Sequence, residues 1–354
     1  MKMQSAVIDV FCGIGGLTHG IQKAGINVVA GIDIDSTCKY AYEKNNNAVF
    51  INKDIENITC EEIDLLYPPN CHKILVGCAP CQPFSPYSFR YNKNGKKDNK
   101  WKLLYSFINI IEEISPSIIS MENVPQLSKE KIFSDFLDKL NNLGYIVDWD
   151  IINCAKYGVP QNRTRLVLLA SLFGKINVPP AIYDQKDFLT VFDAIGDLPR
   201  IKDGEICEED LLHRSSKLAP INKKRIKQST PGGTWITWND KLKLKCHKKD
   251  TGNSYRSVYG RMEWEKPSPT ITTQFYGYGN GRFGHPEQNR ALSLREGALL
   301  QSFPDYYKFI DPDSPPTYKK LGVHIGNAVP VELGKVIGSS IKNHLLEKGV
   351  SCDG

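Results

Sequence analysis

Long apolar stretches are missing from this chain. No run of about eighteen or more apolar residues occurs, which excludes a membrane-spanning helix. The start, MKMQSAVIDVF, has neither the apolar stretch nor the cleavage site of a secretory signal and reads straight into a strand. A disulfide framework is missing too. The ten cysteines are scattered, and Cys12, Cys38 and Cys154 sit in apolar stretches as small buried hydrophobes do. Reduced thiols in a cytoplasm are the expectation. There is no internal repeat, no low-complexity segment and no G-x-G-x-x-G fingerprint of a dinucleotide fold.

What is present suits one large domain plus a smaller one. The chain has 354 residues, 41% hydrophobic and 24% charged, which excludes whole-chain disorder. Its net charge is only +6, but Arg214 to Asp250 holds eleven Lys or Arg against two acids. That segment carries +9 and leaves −3 for the remainder, so a polyanionic partner is the functional reading. A solvated lysine-rich surface is the plainer one.

The first half alternates strand-like and helix-like pieces. Strands are expected at Ser5 to Phe11, Asn27 to Ile32, Ala48 to Ile51, Lys73 to Gly77, Ser117 to Met121 and Arg165 to Ala170. Helices are expected at Leu17 to Ala24, Ser36 to Asn45, Trp101 to Ile114 and around Phe133 to Leu140. Such alternation predicts an α/β fold, a mostly parallel sheet with helices on both faces. After about Gly174 the rhythm gives way to a polar, basic stretch punctuated by prolines and glycines, a candidate inserted domain. Helical patterning returns from Ala291, and Val329 to Leu345 reads as a final helix.

Asp9-Val-Phe11-Cys-Gly13-Ile-Gly15-Gly16 follows a strand and opens a helix at Leu17. Glycines there let the backbone turn tightly against a ligand and offer amide donors. The spacing suits a nucleoside without a pyrophosphate, although a plain tight turn explains such a loop equally well. The second strand runs to Asp33, where an acid can accept from both ribose hydroxyls. The third leads to Lys53-Asp54-Ile55, where Asp54 can accept from an adenine amino group. Ile34 and Ile55 can sandwich the ring. Each Asp can also be a helix cap, but three such features at successive strand ends lie where these sheets bind ligands.

Gly77-Cys78-Ala-Pro80-Cys81-Gln82-Pro-Phe-Ser85 follows the fourth apolar strand. Three readings stay open for it. A redox pair takes Cys78 and Cys81 as C-x-x-C. A zinc site needs two more ligands, and Cys246-His247 is the only other pair. In the third, one cysteine held after a proline is a nucleophile. Met121-Glu122-Asn123-Val124 then supplies an acid at the next strand end, and Gln161-Asn-Arg163-Thr-Arg165 supplies two cations.

These elements together, in this order behind Phe-x-Gly-x-Gly-Gly, resemble the carbon-5 DNA cytosine methyltransferases of bacterial restriction–modification type. Arg290-Ala-Leu-Ser-Leu-Arg295-Glu296 through Gln301-Ser-Phe303-Pro304, and Ile325-Gly326-Asn327-Ala-Val329-Pro330, agree with the same family. The resemblance covers nearly all of the chain except about Thr190 to Arg261. It implies a Rossmann-like S-adenosylmethionine-dependent fold with a smaller inserted target-recognition domain. The implied boundaries are 1–185 for catalysis and cofactor binding, 186–285 for target recognition, and 286–346 for a segment returning to the catalytic domain.

The resemblance further implies the chemistry. Cys81 adds to carbon 6 of a flipped-out cytosine, which makes carbon 5 nucleophilic towards the sulfonium methyl. Glu122 holds or protonates ring nitrogen 3, and Arg165 binds the carbonyl oxygen with Arg163 nearby. Phe11, Gly13, Gly15, Gly16, Leu17, Asp33, Ile34, Asp54, Ile55 and Pro80 form the cofactor set, joined from far along the chain by Asn327 and Val329. Gln82, Ser85, Lys223, Lys224 and Arg282 are the expected DNA contacts, and no metal is expected. Asn327 is otherwise a helix cap and Cys78 structural. Two departures from the family pattern stand out: Asp98-Asn-Lys100-Trp101 replaces Asp-x-Arg, and Ile34 replaces an aromatic. The implied partners are duplex DNA and a cognate restriction endonuclease of the same specificity, with the enzyme a cytoplasmic monomer. Two other classes remain to be separated by assay. A tRNA-modifying relative typically carries Cys-Phe-Thr, absent here, and a non-enzymic DNA binder has no need of intact Cys81, Glu122 and Arg165.

Overall fold

Ser5 to Val10 is a run of six buried residues, and this is β1. The computed structural model describes residues 4–80, 102–249 and 256–350. They fall into two units. The first takes in residues 1–157, 164–182 and 329–354, and the second 158–163 and 183–328.

In the first unit β1 is central to a seven-stranded sheet. Its other strands are β2 (Val28–Asp33), β3 (Val49–Asn52), β4 (His72–Gly77), β5 (Ile118–Asn123), β6 (Ile146–Asn153) and β8 (Thr164–Ser171); β7 (Gln161–Asn162) belongs to the second unit. The order is β3-β2-β1-β4-β5-β8-β6, parallel from β3 to β5, with β8 antiparallel to both its neighbours. Unbroken apolar runs are what a strand covered on both faces needs, which is why β1, β4 and β5 were legible as strands. The helices of this unit are α1 (Gly16–Lys23), α2 (Lys39–Asn45), α3 (Cys60–Asp64), α4 (Lys102–Ile114), α5 (Lys131–Asn142) and, from the chain end, α10 (Val331–Glu347). Sequence patterning gives no strand at 146–153. The structure has β6 there, at the sheet edge, where Ile146, Trp149, Asp150 and Ile151 are exposed and Asp148 and Asp150 are tolerated.

The last helix packs on the first through glycines. A Cβ on Gly20 would sit 2.3 Å from the Val331 carbonyl oxygen, and one on Gly334 2.9 Å from that of Leu17. His344 Nε2 lies 2.8 Å from Ser171 Oγ, which ties α10 to β8.

Beneath the glycine turn, Asp9 is buried in β1 and accepts from the Thr18 hydroxyl at 2.7 Å. Burial raises its carboxyl to about 7, against the Thr18 hydrogen bond and with help from the Asp33 charge. The folded state therefore holds a proton that the unfolded chain releases near pH 4, so stability falls as pH rises between about 4 and about 7. Asp9→Asn is expected to flatten that slope and raise Tm at pH 8, each unit of raised pKa being worth about 1.4 kcal/mol. Thermal melts from pH 4 to pH 8 check this; a wild-type melt that rises across the window would refute it.

The second unit has little regular structure. Its helices are α6 (Val191–Ile195), α7 (Pro220–Gln228), α8 (Leu294–Leu300) and α9 (Tyr318–Asn327), and β7 pairs in parallel with β9 (Ser268–Pro269). Leu218, Ile226, Trp235, Trp238 and Tyr278 form an apolar cluster, with Arg225 over the rings of Trp238 and Tyr259. Buried Arg261 donates to the carbonyls of Ser229, Ile226, His285 and Gln288, gathering loops that no sheet organises. The boundary expected at 286 falls instead at Val329. The reason is local. Arg290 grips Glu296 with both Nη atoms at 2.8 and 2.6 Å, and its Nε donates to the Ile201 carbonyl. Burial works to raise the Glu296 carboxyl, yet Arg290, with His285 and the Ser293 amide, holds it down to about 2. The Arg290 to Glu296 motif is thus the anchor of the second unit.

Candidate active site

The carboxyl ends of β1 to β5 lie along one sheet edge, with the chain leaving β1 for β2 on one side and β4 on the other. Ligands bind at such a switch point. Because β8 runs the other way, its first residues reach the same edge, with Glu122 opposite Val167 and Asn123 opposite Leu166.

A cavity of about 340 Å³ opens there, lined by Phe11, Ile32, Asp33, Ile34, Lys53, Asp54, Ile55, Glu56, Pro80, Lys102 and Leu103. Six of the expected cofactor residues are among them: Phe11, Asp33, Ile34, Asp54, Ile55 and Pro80. Asp33 is oriented by two backbone amides, Gly13 N at 2.8 Å on one oxygen and Asp35 N at 2.9 Å on the other. Asp54 Oδ1 accepts from Glu56 N at 3.1 Å. Ile34 is 67% exposed, an apolar side chain in water at the rim, whereas Ile55 is buried. Neither Asp33 nor Asp54 caps a helix; the neighbouring Asp35 does, its carboxylate accepting from Thr37.

The glycine turn is strained in the manner of a binding loop. Phe11 has φ 62°, where a bulky side chain rarely sits, and Gly13 and Gly15 have φ 51° and 85°. A Cβ on Gly13 would meet nothing within 4 Å, so that face is open. Gly15 precedes α1 without any side-chain cap, which leaves the first amides of the helix unclaimed by a cap. Gly16 and Leu17 are buried beneath α10 and do not line the cavity. Glu56, Lys102 and Leu103 do, and sequence reasoning missed them. Lys102 Nζ is 2.9 Å from Glu56 Oε2, an ion pair across 46 residues of chain that no local pattern announces.

Glu122 is 2% exposed at the end of β5. Arg165 Nε stands 2.8 Å from its Oε1, close enough for charge but off the N–H line, so this oxygen accepts no aligned hydrogen bond among the described residues. A buried carboxylate oxygen left in that state is a receptor for a ligand's donor or proton. Its other oxygen accepts from the Cys78 thiol at 2.8 Å. Asn123 Nδ2 donates to the Ala79 carbonyl at 3.1 Å, tying the segment before Pro80 to the end of β5.

Other expected residues lie elsewhere. Arg163 belongs to the second unit, where its guanidinium donates to the carbonyls of Ile271, Gly326 and Ala328. Asn327 ends α9 in the second unit and caps no helix N-terminus, since Thr317 caps α9 and Pro330 precedes α10. Val329, buried, is the first residue back in the first unit. Cys81, Gln82, Ser85 and the Asp98 to Trp101 departure lie outside the described residues. Lys223 pairs with Asp203 at 2.7 Å, whereas Lys224 is exposed. Arg225, counted in the basic segment, is buried and donates to the Leu242 carbonyl. Arg282 is half-buried, with its Nε unmatched by any hydrogen bond among the described residues.

Eight cysteines are free among the described residues, Cys12, Cys38 and Cys154 buried as expected. No helix of the described residues is long and apolar enough to cross a membrane.

Known proteins resemble this chain in sequence and in fold. The chain is 52% identical over 346 residues to the Type II methylase M.HgiDII of Herpetosiphon aurantiacus, covering 97% of this chain and 96% of the relative. It is 31% identical to the Type II methyltransferase M1.BsuMI of Bacillus subtilis, covering 94% and 79%. The fold matches that of the S. pombe Dnmt2 methyltransferase with a TM-score of 0.63 at 19% identity, over 98% of this chain and 99% of that one. A family model described as C-5 cytosine-specific DNA methylase matches residues 5–343. With its sheet edge, its cavity and its Glu122–Arg165 pair in place, this chain belongs to the C-5 cytosine-specific DNA methylase family, enzymes that transfer a methyl group from S-adenosylmethionine to carbon 5 of cytosine in specific DNA sequences.

Proposed function

We propose that the cavity of the first unit receives S-adenosylmethionine and that Cys81, Glu122 and Arg165 act on a cytosine flipped out of duplex DNA. One observation carries this reading: the cavity and the buried Glu122–Arg165 pair share one edge of one sheet. The cavity suits a nucleoside. Asp33, already oriented by two amides, accepts from the ribose hydroxyls; Asp54 accepts from the adenine amino group; Ile34 and Ile55 cover the ring. The open face of Gly13 leaves room for the chain beyond the ribose. When bound, S-adenosylmethionine supplies an electrophilic methyl group on a sulfonium. Cys81, directly after Pro80 in the chain, adds as thiolate to carbon 6. Glu122 shares a proton with ring nitrogen 3 and Arg165 stabilises charge on the carbonyl oxygen, so that carbon 5 becomes the nucleophile. Once carbon 5 carries the methyl group, loss of its proton to water and of the Cys81 thiolate restores the ring double bond and frees the enzyme. The enzyme acts as a cytoplasmic monomer beside a restriction endonuclease of the same specificity.

Labelled methyl transfer to duplex DNA, with tRNA alongside, tests the reading; label in tRNA alone would overturn it. Sequencing for 5-methylcytosine in DNA from a methylation-free host expressing the chain then gives the site. Asp54→Ala is expected to raise the KM for S-adenosylmethionine about tenfold, the cost of one good hydrogen bond to a buried group, while DNA affinity without cofactor stays unchanged. An equal fall in DNA binding would show that Asp54 serves the fold.

The second unit is the DNA reader in this proposal. With Lys223 committed to Asp203, Lys224 is the better phosphate contact of the two. Lys224→Ala is expected to lower the salt slope of binding by about 1 on all sequences alike. Arg282→Ala is expected to cost about 1–3 kcal/mol at one base position and relax specificity there. Salt titrations on cognate and scrambled duplexes distinguish them, and identical losses on both duplexes for Arg282→Ala would remove it from base reading.

A further inference from the structure

Cys78 has no part in the chemistry just described, yet its side chain touches that chemistry. Its thiol donates to Glu122 Oε2 at 2.8 Å. The contact follows from the sheet. In the parallel pair β4–β5, Gly77 stands opposite Met121, so the residues that follow, Cys78 and Glu122, continue the same row. The Asn123 amide on the Ala79 carbonyl holds the chain immediately beyond Cys78 against β5. Glu122 is therefore held on both oxygens, by Arg165 from β8 on Oε1 and by Cys78 on Oε2. These are the charged and titratable groups touching it among the described residues.

The two holds differ chemically. The guanidinium stays charged at every working pH and supplies a fixed attraction. The thiol is a weak neutral donor that favours the ionised carboxylate and yields readily to a stronger partner. We propose that Cys78 is a positioning residue: it sets the orientation and proton affinity of Glu122 and releases Oε2 when the base arrives. The inference rests on the assignment of Glu122 to ring nitrogen 3.

The test uses the purified full chain, labelled S-adenosylmethionine and duplex DNA from a methylation-free host. Cys78→Ala and Cys78→Ser are made in the wild type and in Glu122→Gln. Cys78→Ala is expected to lower kcat about tenfold, as loss of a hydrogen bond to a charged group does, with the KM for S-adenosylmethionine within about twofold. The limb of the pH–rate profile governed by Glu122 moves to higher pH, because the ionised carboxylate has lost a donor. Cys78→Ser restores both, its hydroxyl donating in place of the thiol. In the Glu122→Gln background Cys78→Ala adds nothing further, since the carboxylate it positions is gone. An unchanged kcat and pH profile in Cys78→Ala would overturn the inference. So would failure of Ser to rescue, or an equal fall in the Glu122→Gln background, which marks a merely structural role. Wild-type activity in Glu122→Gln alone would instead overturn the assignment of Glu122 itself, and the inference with it.

Discussion

Cys81→Ser is expected to abolish methyl transfer, by roughly 10⁴-fold or more, the scale on which enzymes lose rate with their nucleophile. A thiol titrates near ~8.5 and is partly thiolate at neutral pH, whereas a serine hydroxyl is not ionised there and adds poorly to carbon 6. The residue directly follows Pro80, which lines the cavity, and the chain just before it is tied to β5 by Asn123. DNA carrying 5-fluorocytosine at the target gives the clearest readout. Fluorine cannot leave as a proton does, so the wild type should form an adduct stable to denaturation and Cys81→Ser should form none. Peptide mapping assigns the bond. An adduct on Cys78 would overturn the assignment and recast the Cys78–Glu122 contact as the activating one.

Glu122→Gln is expected to lower kcat by about 10²–10⁴-fold, the usual worth of a positioned acid or base. The amide is nearly the same size and still offers an oxygen to Arg165, so the fold and the cavity should survive. What it lacks is a proton to share with ring nitrogen 3. The KM for S-adenosylmethionine should therefore hold while adduct formation on 5-fluorocytosine DNA slows with kcat. Single-turnover assays with a thermal melt of each variant separate chemistry from folding. A rate within about threefold of wild type would remove Glu122 from the chemistry, because a group acting only in the transition state cannot be lost so cheaply.

The reach of the sequence follows from the reach of each interaction. Buried parallel strands are uninterrupted apolar runs, and a strand end before a glycine, acid or cysteine turn is visible within a few residues. That is why β1 to β5, the cavity residues Asp33, Ile34, Asp54 and Ile55, and the acid Glu122 could all be placed from local pattern. An edge strand lacks that pattern, so β6, with Asp148 half-buried and Asp150 exposed, left no trace. The Arg163 and Arg165 motif shows the same limit. Arg163 and Arg165, with one residue between them, read as a pair, but Arg165 lies in β8 and meets Glu122, whereas Arg163 precedes that strand and donates to carbonyls of the second unit.

The sequence alone determined the family and the alternating α/β architecture, and it offered Cys81, Glu122 and Arg165 as candidates for nucleophile, acid and cation, because motif chemistry and apolar periodicity are short-range properties. Tertiary structure decided which groups meet across long separations. It set Cys78 on Glu122 through the β4–β5 register, paired Lys223 with Asp203, buried Arg225 beneath two aromatic rings, and closed Lys102 on Glu56 at the cavity rim. It also kept residues 286–328 in the second unit and returned the chain at Val329. The physical reason is the same in each case. A charged or polar side chain accepts any complementary partner, so its partner is chosen only when packing and register bring one candidate within reach.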